Sequence, residues 1–176
     1  MAVREILLLG NPGLYEACAP VEQSELQSLH AVVNDLHDTL MDFRRRHGAG
    51  RAIAAPQIGF KKRLVYMHIL APVVYINPVL DLFSDQTFEL WDDCMSFPDL
   101  VVRVRRHRHC RITYRDLDWN EQVIKLEDDL SELLQHECDH LDGILAVAHA
   151  VDEKSFALRS EQQFLAGNRE SSLSAG

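Results

Sequence analysis

The stretch QHECDHLDG, Gln135 to Gly143, holds two histidines four residues apart with a glutamate beside the first. On a helix turning roughly 100° per residue, His136 and His140 lie one above the other, about 40° apart, so both imidazoles can reach one cation. Glu137 stands next to them and can hold a proton, which puts a general base beside a metal-activated water. A site of this kind needs a third protein ligand. A lone HExxH also occurs in helices whose histidines are simply solvated, so the pattern needs support from elsewhere in the chain.

Four residues compete for the third position. Cys138 is nearest, but two places beyond His136 it points roughly 200° away, in line with Leu134 and Leu141, and reads as core. A metalloprotease continuation HxxGxxH would use the residue six after His140; Gly143 fits that pattern, but the residue is Ala146. Glu161 is a downstream carboxylate in a weakly apolar segment and stays as a runner-up. Cys94, in WDDCMSFPDL, stands at the end of an expected strand just before Pro98. One thiolate with two imidazoles suits zinc or ferrous iron and leaves a fourth position for water; a buried, inert cysteine is the alternative.

The elements that must position these residues follow from periodicity. From Leu26, the apolar residues Leu29, Val33, Leu36, Leu40 and Phe43 recur at steps of three and four and predict a helix with one buried stripe. Arg44, Arg45 and Arg46 close it at the negative end of its dipole, and Gly48-Ala49-Gly50 ends it. Glu5 to Leu9 suits a strand or an extended start, and Asn11-Pro12-Gly13 turns the chain ahead of a helix. Arg63 to Ile69, Val73 to Leu82 and Thr87 to Ser96 predict strands. Val101 to Glu127 predicts a hairpin turning at Asp118-Trp119-Asn120. A second helix is expected from about Asp128, with Asp128 or Asp129 as N-cap and Gly143 as its stop. One more helical stretch is expected after Lys154, before a Ser-rich end.

With 176 residues, 47% of them hydrophobic, the chain fits a single domain, 1–166, followed by a disordered tail, 167–176. A formal charge of −9 argues against general nucleic-acid affinity. The basic run from Arg103 to Arg111 therefore reads as a solvated strand face in preference to an RNA contact. The apolar run near the N-terminus is too short for a signal peptide, and nowhere do about 18 apolar residues run together, so no membrane span is expected and the protein reads as cytoplasmic. Cys18, Cys94, Cys110 and Cys138 form no close pairs, which favours buried thiols or a metal ligand over disulfides.

Taken together, these residues resemble the peptide deformylase family, metallohydrolases that remove formyl from the N-terminal methionine of new polypeptides. Three motifs carry the resemblance in the right order: GxGxAAPQ appears as GRAIAAPQ (Gly50 to Gln57), EGCLS as DDCMS (Asp92 to Ser96), and QHExDHLxG intact as QHECDHLDG. QIGFKKR after the first motif and INP at Ile76 to Pro78 extend the likeness to about Leu145. It implies an α+β fold with antiparallel strands packed around the central helix carrying HExxH. The cleft would lie between the strand ending at Cys94 and that helix.

The resemblance also implies that Cys94, His136 and His140 bind one divalent metal ion, Fe²⁺ in the cell, with Zn²⁺, Ni²⁺ or Co²⁺ as possible substitutes. Glu137 would move the proton, Gln57 and the backbone N–H of Met95 would hold the formyl oxygen, and Gly50 and Ile53 would border the substrate. The substrate would be a formyl-methionyl peptide, met on nascent chains at the ribosome, with no membrane or direct nucleic-acid partner. Two other readings are kept: a divergent member with an altered N-acyl substrate or little activity, and a metal-stabilised RNA-contacting domain.

The motifs also depart from the family pattern. Ala52 replaces a glycine on the cleft wall. Asp93 replaces the glycine before the cysteine, and Asp92 shortens the preceding glutamate. An Asp93 facing the metal would raise the pKa of bound water, whereas one facing solvent would change little. Asp129 and Glu132 stand where the family commonly places apolar or small residues near the methionine pocket, which implies a more polar pocket. After Pro98 there is no arginine to meet the peptide backbone, leaving Arg103, Arg105 or Arg106 as substitutes.

Overall fold

The computed structural model of the chain describes residues 2–165. The end expected to be disordered lies outside the described residues. Among the described residues two α-helices form, α1 at Leu26–His47 and α2 at Asp128–Leu141. The strands are β1 at Ala52–Ala54, β2 at Leu64–His68, β3 at Pro72–Asp81 and β4 at Thr87–Asp93. They continue with β5 at Leu100–His107, β6 at His109–Arg115, β7 at Glu121–Glu127 and β8 at Phe156–Leu158. One antiparallel sheet runs in the order β1-β2-β3-β6-β7, and a smaller one runs β4-β5-β8.

The period-two alternation of the large sheet sorts its side chains into two cores. Ile53, Leu64, Tyr66 and Ile76 face α1, where they meet Leu29, Leu36, Leu40 and Phe43. Ala52, Ala54, Val65, Met67 and Ile112 face the other way and pack with Leu133, Leu134 and Leu141 of α2. A third cluster, Cys94, Phe97, Val102, Val104 and Ala146, belongs to the small sheet. The helix α2 contacts both sheets and is the central helix the resemblance implies. The α+β architecture, with antiparallel strands around the HExxH helix, is thus observed.

Helix α1 follows its predicted stripe. Gly48 takes the left-handed conformation at φ +68° and donates its N–H to the Arg44 carbonyl at 2.8 Å. Arg44 reaches on to the Gly50 and His68 carbonyls, while Arg45 and Arg46 pair with Asp42, so the three arginines serve the helix end.

Glu5 to Leu9 forms the extended start, joining no sheet; Leu7 N–H donates to the Gln57 carbonyl and Leu9 N–H to the Ser96 carbonyl, each at 2.8 Å. Other local expectations are corrected. The helix expected after Gly13 is a 3-10 turn, Pro12–Tyr15. The run from Val101 to Glu127 makes three strands: β5 belongs to the small sheet, and the chain crosses at Arg108 into the β6–β7 hairpin of the large one. Alternation alone does not distinguish a strand that changes sheets from one that continues. The hairpin does turn at Asp118-Trp119-Asn120, held by the Asp116 carboxylate accepting from the Asp118 and Asn120 N–H groups at 3.0 and 2.9 Å. Asn77 of INP sits at φ +50° in a bulge of β3, and its side chain accepts from Val21 N–H and donates to Val21 C=O, both at 2.8 Å.

The N-cap of α2 is Glu127, and no side chain caps the helix. Asp128 is the first residue of α2 and sits at φ +45°, with its N–H donating to the Arg108 carbonyl at 2.8 Å and its carboxylate paired with Arg108. At the other end, Gly143 has φ +72°, and a Cβ there would lie 2.6 Å from the Tyr15 carbonyl. Handedness and close approach both require glycine in the last place of QHECDHLDG. Beyond Lys154 the chain forms β8, paired with β5, and then a 3-10 stretch, Arg159–Phe164.

Candidate metal centre

Strand β4 stops at Asp93, and the Phe97 N–H turns back to the Cys94 carbonyl at 3.0 Å. This turn swings Cys94 toward α2. Cys94 Sγ lies 3.3 Å from His140 Nε2, which lies 3.2 Å from His136 Nε2. All three residues are buried, with their ligand atoms within 4.8 Å of one another. Bonds of about 2.0–2.1 Å to nitrogen and about 2.3 Å to sulfur put the ligand atoms of a tetrahedral cation roughly 3.3–3.6 Å apart. The observed spacings fit, and the thiolate–imidazole donor set suits a divalent first-row metal.

The other candidates do not converge here. Cys138 is buried and free, and burial pushes its thiol far up, as for an inert core cysteine. Ala146 packs into the small-sheet core, and Glu161 is exposed on the terminal 3-10 stretch.

Behind the triad stands Asp92, which the motif presents only as a shortened glutamate. Asp92 Oδ2 accepts from His136 Nδ1 at 2.9 Å, which leaves Nε2 as the ligating end. Arg106, itself buried, bridges Asp92 at 3.4 Å and Asp139 at 2.5 Å. Burial opposes ionisation of Asp92, but His136 and Arg106 hold its carboxyl below the usual range. The His136 imidazole is likewise raised well above its ordinary value by Asp92 and Cys94 despite burial, and burial with the His136 charge lowers His140 to about 3. A cation bound by Nε2 would replace the His136 proton there and keep both rings neutral.

Gln57 is aimed by its own loop. Its Oε1 accepts from Ala54 N–H at 2.9 Å, so Nε2 turns to Ser96 Oγ at 3.1 Å and Cys94 Sγ at 3.5 Å. Among the described residues no hydrogen bond engages the Met95 N–H. The Glu137 Oε2 is buried without a partner, and burial raises this carboxyl to about 7. Gly50 has φ +121° and gives its carbonyl to Arg44. The Ile53 side chain is fully buried in the α1 core, so only its backbone is placed to border a ligand.

Asp93 turns away from the triad and pairs with Arg159 at 2.7 Å on the half-exposed surface. Ala52 is extended strand backbone with its methyl in the α2-side core, so no unusual φ is needed. Glu132 is buried and ion-paired with Arg51, a partner that nothing in either motif announced. Arg106 points inward to Asp92 and Asp139, while Arg103 and Arg105 pair with Asp152 and Glu89. Arg108 and Arg111 pair with Asp128 and Asp81. The basic run is therefore neutralised along its length and gives the RNA-contacting reading no support. No helix among the described residues is long and apolar enough to cross a membrane.

The family model for polypeptide deformylase matches residues 3–156. Peptide deformylase 1 of Prochlorococcus marinus is 36% identical over 177 residues, covering 92% of this chain and 88% of the relative. The solved peptide deformylase of Thermotoga maritima superposes with a TM-score of 0.79 at 26% identity, over 86% of this chain and 100% of that one. That of Acinetobacter baumannii bound to Met-Ala-Ser gives 0.77 at 27% identity, over 84% and 98%. With its matching motifs set around a buried Cys–His–His triad, the chain belongs to the polypeptide deformylase family.

Proposed function

We propose that the protein is a metal-dependent peptide deformylase, a hydrolase that removes the N-formyl group from formyl-methionyl peptides. The single observation that carries this is the convergence of Cys94, His136 and His140 with Gln57, in the order and spacing of the family's three motifs. Residues 1–166 would act as one catalytic domain, meeting its peptides on nascent chains at the ribosome in the cytoplasm. Cys94, His136 and His140 would hold the ion, which supplies an acidified water and a Lewis acid for the carbonyl. Among Fe²⁺, Zn²⁺, Ni²⁺ and Co²⁺, the family likeness favours Fe²⁺ in the cell.

The remaining work falls to the protein. Glu137, near neutrality in a buried setting, takes the proton of the attacking water and delivers it to the leaving amide nitrogen. Gln57 Nε2 and the Met95 N–H donate to the formyl oxygen as negative charge develops there, and losing such a donor typically costs about 10²–10³ in rate. Asp92 holds the His136 ring in register through Nδ1. The Acinetobacter structure with Met-Ala-Ser supports a product of the same class here.

The test is formate release from formyl-Met-Ala-Ser by the Fe²⁺-loaded protein. Glu137→Gln should lower kcat by about 10²–10⁴ with metal retained. No release by a folded, metal-bound wild type would sink the reading. For the ligands, Cys94→Ser should abolish most metal affinity and Cys138→Ser should preserve it; the reverse result would overturn the ligand set.

A further inference from the structure

The helix stripe that carries the metal ligands begins one turn earlier, at Glu132. Glu132, His136 and His140 lie at successive four-residue steps on one buried face of α2. One pitch is about 5.4 Å, so the Glu132 carboxylate stands within a side chain's length of the triad. Arg51, just before β1, crosses to it and also brings Nη1 to 3.5 Å from the Asp129 carbonyl. The arginine side chain is 43% exposed and the glutamate 5%, so the pair runs from the surface into the interior beside the triad. Among the described residues, Arg51 is the only hydrogen-bonding partner of the Glu132 carboxylate.

Stability does not account for this pair, because a well-packed apolar pair in its place is commonly neutral or better. A ligand does account for it. A thioether laid against the pair would desolvate both charges and return no hydrogen bond. A carboxamide would donate to the open Glu132 oxygen and accept from the guanidinium fork.

Resting on the deformylase reading, we propose that Arg51 and Glu132 determine specificity. They border the part of the cleft that receives the first side chain of the N-formyl peptide, and they relax selection for methionine so that polar first residues, glutamine above all, are accepted.

The test compares kcat/KM for formyl-Met-Ala-Ser and formyl-Gln-Ala-Ser, and the binding of Met-Ala-Ser and Gln-Ala-Ser to the metal-loaded protein by calorimetry. For the wild type, the two formyl peptides should lie within about tenfold of each other. The Arg51→Ile/Glu132→Ile variant should shift both ratios toward methionine by about tenfold or more. Glu132→Gln alone, which keeps the shape, should shift them in the same direction by less, so the test stands if the double variant does not fold. Formate release with ratios equal in wild type and variants overturns the inference and leaves the deformylase reading standing. No formate from either peptide, with metal bound, overturns both.

Discussion

Helix α2 has a charged network on each side of the Cys94–His136–His140 triad, and the two are built differently. Behind the triad, Asp92 is held by His136 and Arg106, and Arg106 is held in turn by Asp139. In front, Glu132 has Arg51 alone, and that arginine reaches the solvent rim. A buried carboxylate with several fixed partners is scaffolding: its geometry is over-determined and it orients a ligand. One with a single, half-exposed partner keeps acceptor capacity for a guest. Burial raises the Glu132 carboxyl, with Arg51 pulling the other way, whereas Asp92 is held below the usual range.

The contrast is broken most directly at Arg106. Arg106→Ala takes the guanidinium from Asp92, which keeps His136, and from Asp139, which keeps His149, and should cost up to about 3–5 kcal/mol in chemical denaturation; a loss below about 1 kcal/mol would mean the rear network is not scaffolding. Asp92→Asn should weaken metal binding by about 10–100-fold in chelator competition, while Glu132→Gln should leave metal affinity within about threefold, since the front carboxylate touches neither imidazole. Equal losses from the two would erase the distinction. Replacing the front pair by isoleucines should be neutral or stabilising, by up to about 1–4 kcal/mol. Smallest of all, Asp93→Ala breaks only a half-exposed pair with Arg159. It should cost about 0–1 kcal/mol and leave metal content unchanged; lost metal would show that Asp93 does act on the triad.

Much of the rear side was legible in the chain. Four-residue spacing stacks His136 over His140 whatever surrounds the helix, and the 200° offset of Cys138 assigns it to packing. The α1 stripe was read for the same reason, that local period reports which face is buried, and the Thr87 start of β4 from the polar Ser84-Asp85-Gln86 turn ahead of it. The partners of charge were not legible. Arg106 stood in a basic run and was a candidate for the substrate backbone, yet it turns inward because β5 alternates and its even side, with Val102 and Val104, is buried. Glu132 stands out in the sequence as a departure from an apolar expectation, whereas nothing there singles out Arg51; that they meet depends on β1 passing beside α2.

Sequence by itself therefore determined the candidate ligand types, the helix that stacks two of them, the cysteine proposed to complete the set and the family to which the three motifs point. These follow from residue chemistry and short-range geometry, which a chain carries wherever it folds. Tertiary structure alone decided where each charge is neutralised: Asp93 outward to Arg159, Asp92 inward to His136 and Arg106, Glu132 across the cleft to Arg51. A charge takes the partner that packing brings within a few ångströms, and the pairs that define this cleft are separated by 14 to 81 residues of chain.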